Sequence, residues 1–183
     1  MLTVITGPMF SGKSREILNI VERYKYAKKK VILFAPEIDK RKKGKIYSRT
    51  GLEVPCNIIK NSKEILDIVK DENLIVIDEA QFLDDEILDV VIKLILDSKE
   101  VLIGGLDKKT NLKPFGPMPQ LLALADKVIK LTSICPICGK EATNSIRIVN
   151  GKRDLSDEIK IDYQNENKGY KYEPRCYNCL DKI

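Results

Sequence analysis

The chain has 183 residues, 43% of them hydrophobic, and a formal net charge of +5. That is enough apolar material for one core domain, or for a core domain with a small appendage, and too much for a disordered chain. No apolar run reaches the roughly 18 residues of a membrane span, and no basic opening leads into a signal-length apolar stretch, so a soluble cytoplasmic protein is expected. The positive charge is dispersed: Lys28-Lys29-Lys30 and Lys40-Arg41-Lys42-Lys43 read mainly as solvated faces, with contact to a phosphate chain as the alternative. Nothing here requires a nucleic-acid partner. The chain contains no histidine. Any general base must therefore come from a carboxylate, a lysine, a tyrosine or a thiolate.

In chain order, Leu2 to Thr6 reads as a buried strand running into Gly7. From Ser14 the spacing becomes helical, with Ile17, Leu18, Ile20, Val21 and Tyr24 on one face. Val31 to Ala35 is a second strand, broken by Pro36, and residues 37–57 read as a long polar loop. Ser62 is placed to cap a helix through Val69. Leu74 to Ile77 is a third strand ending on Asp78-Glu79, and Asp84 to Leu96 is again helical. Val101 to Leu106 is a fourth strand closing on Asp107. Pro114, Gly116, Pro117 and Pro119 then break the chain before a short helix, Gln120 to Ala125, and Val128 to Leu131 offers a fifth strand. Continuous apolar strands alternating with helices predict an α/β fold, a parallel sheet with helices on both faces and ligands at the carboxyl ends of the strands. From Cys135 the composition turns polar and cysteine-paired, which predicts a core over residues 1–133 and a smaller unit over 134–183.

Gly7-Pro8-Met9-Phe10-Ser11-Gly12-Lys13-Ser14 fits G-x-x-x-x-G-K-[ST] between a predicted strand and a predicted helix. Glycines let the backbone fold around phosphate oxygens with N–H groups inward, and the helix start adds its positive dipole end. Lys13 would reach the β- and γ-phosphates and the Ser14 hydroxyl would ligate Mg²⁺. The motif by itself specifies only a nucleoside triphosphate. Asp78 follows its strand as the second carboxylate of a P-loop enzyme should, able to hold Mg²⁺ directly or through water. Glu79 is the best candidate to take a proton from an attacking hydroxyl; the alternative is that the pair merely caps the following helix. Arg41, in the loop after the second strand, could offset charge on a transferring phosphoryl group or belong to a solvated basic patch.

Cys135-x-x-Cys138 and Cys176-x-x-Cys179 are two knuckles whose four thiolates would make a closed, structural Zn²⁺ site. Cys56 reads as a lone reduced thiol. A segment pinned between the knuckles could fold over a ligand beside the P-loop, or be a surface ribbon.

Together, Gly-Pro-Met-Phe-Ser-Gly-Lys-Ser at 7–14, Asp-Glu-Ala-Gln-Phe at 78–82, Pro-Phe-Gly-Pro-Met at 114–118 and Tyr-Glu-Pro-Arg-Cys-Tyr-Asn-Cys at 172–179 resemble the zinc-containing thymidine kinase family over essentially the whole chain. The resemblance implies a P-loop NTPase-type sheet with a zinc-ribbon-like domain, and Mg²⁺-dependent transfer of the ATP γ-phosphoryl to the 5′-hydroxyl of thymidine, giving dTMP in pyrimidine salvage. It implies Glu79 as the base, Arg41 and Gln81 on the ATP-phosphate side with the P-loop and Asp78, and Met9, Phe82, Leu106 and Thr110 around the nucleoside. A lasso through Ile159, Lys160, Ile161, Asp162 and Tyr163, with Tyr172 nearby, would close on the base. A homotetramer and feedback inhibition by dTTP are also implied. Three positions depart from the family pattern: Thr110 stands where a phenylalanine is usual, Asp162-Tyr163 where the lasso carries glycine, and Ser48-Arg49-Thr50-Gly51 replaces a serine-histidine-x-glycine-like stretch. The competing reading is a zinc-ribbon P-loop ATPase acting on nucleic acid, which should show a basic strip interleaved with aromatics. Aromatics are 6% of the chain and scattered.

Overall fold

The computed structural model describes residues 1–38, 44–47, 53–159 and 169–182. Strand β1 (Leu2–Thr6) leads into helix α1 (Lys13–Tyr26), followed by β2 (Val31–Pro36), β3 (Lys45–Tyr47), β4 (Glu53–Pro55) and β5 (Asn57–Ile59). Then come α2 (Glu64–Ile68), β6 (Leu74–Ile77), α3 (Ile87–Leu96), β7 (Glu100–Gly105), α4 (Met118–Leu124) and β8 (Lys127–Lys130). The rest is short strands: β9 (Ser133–Ile134), β10 (Glu141–Ala142), β11 (Asn144–Val149), β12 (Lys152–Asp154) and β13 (Tyr170–Arg175).

Six strands form one sheet in the order β5-β2-β6-β7-β1-β8, with every pairing parallel. Both faces are covered, as the unbroken apolar strands require. The strand period of two sorts neighbours to opposite faces. Val4, Phe34, Ile77 and Ile103 pack with α2, α3 and α4 through Ile65, Val91 and Leu121. Ile5, Leu33, Val76 and Leu102 pack on the other face with α1 through Ile17, Leu18 and Val21. The mixed fold with its parallel sheet is therefore as the sequence predicts.

Two local expectations are corrected. The polar stretch 37–57 is not wholly loop. β3 and β4 pair antiparallel, and their inward residues Ile46 and Val54 roof the α1 face, while β5 adds a sheet edge beside β2. Three-residue strands with a single apolar residue facing in leave no readable period. Nor does Ser62 cap α2 with its hydroxyl, which is buried without a hydrogen-bond partner. Asn61 does so instead: its Oδ1 accepts from the Glu64 N–H at 3.3 Å, and its amide donates back to the Glu64 carboxylate at 2.9 Å.

β11, β12 and β13 make a separate antiparallel sheet, and β9 pairs with β10 beside the cysteines. Among the described residues no helix is long and apolar enough to cross a membrane.

The carboxyl end of β7 is closely packed. A Cβ on Gly104 would lie 2.3 Å from Ile17 Cδ1 and 2.9 Å from Asp78 Oδ1; one on Gly105 would lie 2.6 Å from Met118 Sδ and 2.8 Å from Gln81 Oε1. Gly105→Ala should destabilise the fold by about 1–3 kcal/mol through overpacking, read as a lower denaturant midpoint at unchanged slope. A midpoint equal to that of the parent chain would mean that Met118 and Gln81 yield without cost.

Candidate functional site

The first βα turn is built as a phosphate cradle. β1 ends at Thr6, and Gly7 follows at φ 145°, where an added Cβ would meet the Leu131 carbonyl oxygen at 2.4 Å. Phe10 takes φ 68° and Gly12 φ 88°, so the chain turns left-handed twice before α1 begins at Lys13. The α1 N-terminus opens into the turn, where the positive end of the helix dipole favours an anion. Lys13 Nζ donates to the carbonyl oxygens of Gly7 (3.0 Å) and Pro8 (2.8 Å), folding its ammonium back over the loop. The Ser11 hydroxyl is buried and unpartnered in this arrangement.

Two further loops share that edge of the sheet. β7 lies between β1 and β6, so the strand carrying the phosphate turn and the strand carrying Asp78 are two spacings apart, roughly 10 Å. That gap suits a metal and phosphate oxygens held between them. Asp78 is 1% exposed, and its Oδ1 accepts the Glu79 N–H at 2.9 Å. Glu79 itself adopts φ 58°, ψ 37°, a left-handed conformation that costs a non-glycine residue on the order of 1–2 kcal/mol. It turns the chain sharply into a single 3₁₀ turn, Ala80–Phe82, so that Asp78 stands at the strand end and Glu79 on the turn.

Gln81 is 2% exposed, with its side chain on Glu79: Nε2 donates to Glu79 Oε2 at 2.6 Å, and Oε1 accepts the Leu106 N–H at 3.0 Å. Phe82 is half-buried and meets Phe115 edge-on, centroids 5.3 Å apart at 89°. Phe115 is the ring next to Phe82; Thr110 sits half-buried in the tight turn closed by the Lys109 N–H to Lys113 carbonyl bond of 2.8 Å. Met9 and Leu106 are half-buried at the ends of the first turn and of β7. Arg41 and Lys160, Ile161, Asp162 and Tyr163 lie outside the described residues, as does the 48–51 stretch. Ile159, the first residue of the lasso stretch, is exposed.

The sequence reading missed the polar residues that join the cysteine unit to this edge. Ser145, on β11, accepts the Met9 N–H of the phosphate turn at 2.8 Å. Its neighbour Asn144, 1% exposed, accepts from Lys108 Nζ at 2.6 Å. Asp157 accepts from Asn111 (2.7 Å) and Lys113 (3.2 Å), and these contacts hold its carboxyl below the ordinary range. Arg147 is fully buried on β11. It donates through Nε to Asp154 Oδ2 at 2.8 Å, to the Ser156 hydroxyl at 2.6 Å and to the Glu158 carbonyl at 2.5 Å, with the Tyr172 phenol as a further partner. A buried guanidinium of this kind fixes residues 154–158, the approach to the lasso segment. Contacts made across 25 to 136 residues of chain carry no local signal; only Ile-Arg-Ile, a charge amid an apolar strand, hints at Arg147.

The four cysteines meet as the knuckle spacing predicts. Their sulfurs all lie within 4.8 Å of one another, with Cys138 and Cys176 3.6 Å apart. A tetrahedral Zn–S₄ centre with ~2.3 Å bonds needs sulfurs about 3.8 Å apart, so the set fits. Burial and the neighbouring sulfurs push the Cys179 thiol up to about 12, while for Cys135 the effect of burial is outweighed by backbone N–H donors, bringing it down to about 6. Four thiolates this close repel unless a cation sits among them. The local core, Cys135, Ala142 and Cys179 with Cys176 against them, is too small to hold the unit together by apolar burial.

Comparison with known proteins bears on the whole of this arrangement. A sequence model described as thymidine kinase matches residues 1–180. A thymidine kinase of Ureaplasma urealyticum serovar 10 is 44% identical over 165 residues, covering 86% of this chain and 74% of the relative. With a match of that extent and a relative of that identity, the chain belongs to the thymidine kinase family.

Proposed function

We propose that the protein phosphorylates thymidine with ATP, and that Glu79 is its general base. The observation that carries this reading is the separation of Asp78 and Glu79 by the left-handed turn, on the sheet edge where the phosphate cradle opens. Lys13 leaves the Gly7 and Pro8 carbonyls and takes up the β- and γ-phosphates, and the cradle N–H groups and α1 dipole hold the rest of the triphosphate. Ser14 and Asp78 would hold Mg²⁺, which supplies charge neutralisation on the phosphates when bound. The thymidine 5′-oxygen attacks the γ-phosphorus, the bond to the β-phosphate oxygen breaks, ADP leaves and the 5′-hydroxyl proton passes to the Glu79 carboxylate. Arg41 would offset charge on the transferring group. Met9, Phe82, Leu106 and Thr110 would border the nucleoside, with the stretch 159–163 and Tyr172 closing over the base. The edge-on Phe115 ring supports Phe82.

We divide the chain into a kinase core over 1–133 and a zinc unit over 134–183. From the family resemblance we also carry a cytoplasmic homotetramer inhibited by dTTP.

Glu79→Gln should retain ATP binding and lose roughly 10²–10⁴-fold in turnover, measured as ATP-dependent conversion of each deoxynucleoside with Mg²⁺ present. Turnover at the parent rate would remove Glu79 from the role, and product from nucleosides other than thymidine would reassign the acceptor. Zinc is expected at one ion per chain by native mass spectrometry. Its removal by chelation should unfold the region of residues 135–180, because structural zinc contributes folding energy on the order of 10 kcal/mol. Unaltered protease resistance of that region after complete metal loss would contradict the assignment.

A further inference from the structure

Gln81 belongs to the Asp-Glu-Ala-Gln-Phe stretch, and the family resemblance puts it on the ATP-phosphate side, yet its side chain engages neither phosphate turn nor solvent. Both ends of its amide are used inside the protein, by the Glu79 carboxylate at 2.6 Å and the Leu106 N–H at 3.0 Å. Only one orientation of the amide satisfies both: NH₂ must face the carboxylate and oxygen must face the N–H. The slot around it is shaped by residues from two other segments. Gly105 at the end of β7 leaves room for Oε1, which an added Cβ would approach to 2.8 Å. Gly116, at φ 49°, passes so near that a Cβ would come within 2.2 Å of the Gln81 carbonyl oxygen. Phe82, the next residue, is braced by Phe115. The Pro-Phe-Gly-Pro-Met turn thus closes directly over Gln81.

We infer that Gln81 is a positioning residue for the general base: its amide holds the Glu79 carboxylate in one orientation and ties it to the Leu106 backbone at the nucleoside side. The inference rests on the assignment of Glu79 as base. A carboxylate on a three-bond stem has several rotamers open to it, of which the Gln81 amide selects one, and a displacement of about 1 Å at a reacting group can cost on the order of 10²-fold in rate. Reaching from one strand end to the next, Gln81 makes the position of the base depend on the position of the nucleoside-side backbone.

The test is a double-mutant cycle on the full chain with zinc bound. Gln81→Met, of similar length but without donor or acceptor, should lower kcat roughly 10–100-fold while the KM for ATP moves less than about threefold. In a Glu79→Gln background the same substitution should cost less than about threefold in kcat, because its effect runs through a carboxylate already removed. Gln81→Glu keeps an acceptor for the Leu106 N–H and serves if the methionine variant does not fold; it should show the same split. Equal losses of kcat in both backgrounds would overturn the inference while leaving Glu79 as the base. A rise in the KM for ATP with kcat preserved would overturn it in favour of phosphate binding. Full turnover in Glu79→Gln alone would remove the base assignment and the inference together.

Discussion

The absence of side chains at Gly104 and Gly105 is the constraint on which the rest of the site depends. In a parallel sheet the strands are held about 4.8 Å apart by their hydrogen bonds, so functional groups at the ends of β1 and β6 must meet across β7. Successive residues on β7 point to opposite faces, and the two glycines therefore open both. Above one lie Asp78 and the Ile17 side chain of α1; above the other lie Gln81 and the Met118 side chain of α4. The helix that begins at the phosphate cradle and the helix that begins at the Pro-Phe-Gly-Pro-Met turn are seated through the same two vacancies. Docking of helices and spacing of the acids are thus one packing problem, solved at a single strand end.

The left-handed conformation of Glu79 is the cost of that solution. A residue in the β region after Asp78 would carry the chain on along the strand direction, away from β7. The left-handed turn folds residues 79 and 81 toward each other, and the strain is offset by a set of local hydrogen bonds. The Asp78 carboxylate accepts the Glu79 N–H, the Phe82 N–H reaches the Glu79 carbonyl at 3.1 Å, and the Gln81 amide closes the circuit on the side chain. Each bond contributes about 1 kcal/mol net, more where a charged partner is involved, so together they exceed the conformational penalty.

What was legible in the sequence follows from where each signal resides. The phosphate cradle is a contiguous string with glycines at fixed offsets, and the cysteine knuckles are two short strings of the same kind. Strands buried on both faces announce themselves as apolar runs, so Leu2–Thr6 and Leu74–Ile77 were readable to the residue. The roles of Gln81, Ser145 and Arg147 were not, because each is defined by a partner on another element. Gln81 needs the Leu106 N–H, Ser145 needs Met9, and Arg147 inside Ile-Arg-Ile resembles an outward-facing charge until the 154–158 segment covers it.

The link between the cysteine unit and the phosphate turn carries a physical consequence. β11 begins two residues after Ala142, in the small core formed with Cys135 and Cys179, and its first two residues reach the kinase edge: Asn144 to Lys108 and Ser145 to the Met9 N–H. One amide of the phosphate turn is thereby held by the cysteine unit instead of pointing to solvent. A unit with so small an apolar core has little stability of its own, and a metal bound by its four thiolates would provide most of it. The energy of that centre is then not confined to its own ribbon. It would set how firmly β11 stands, and β11 holds the Met9 N–H of the first βα turn through Ser145. A metal held by all four thiolates would leave no coordination position open, so it would bear on the first βα turn through backbone position and not through chemistry of its own.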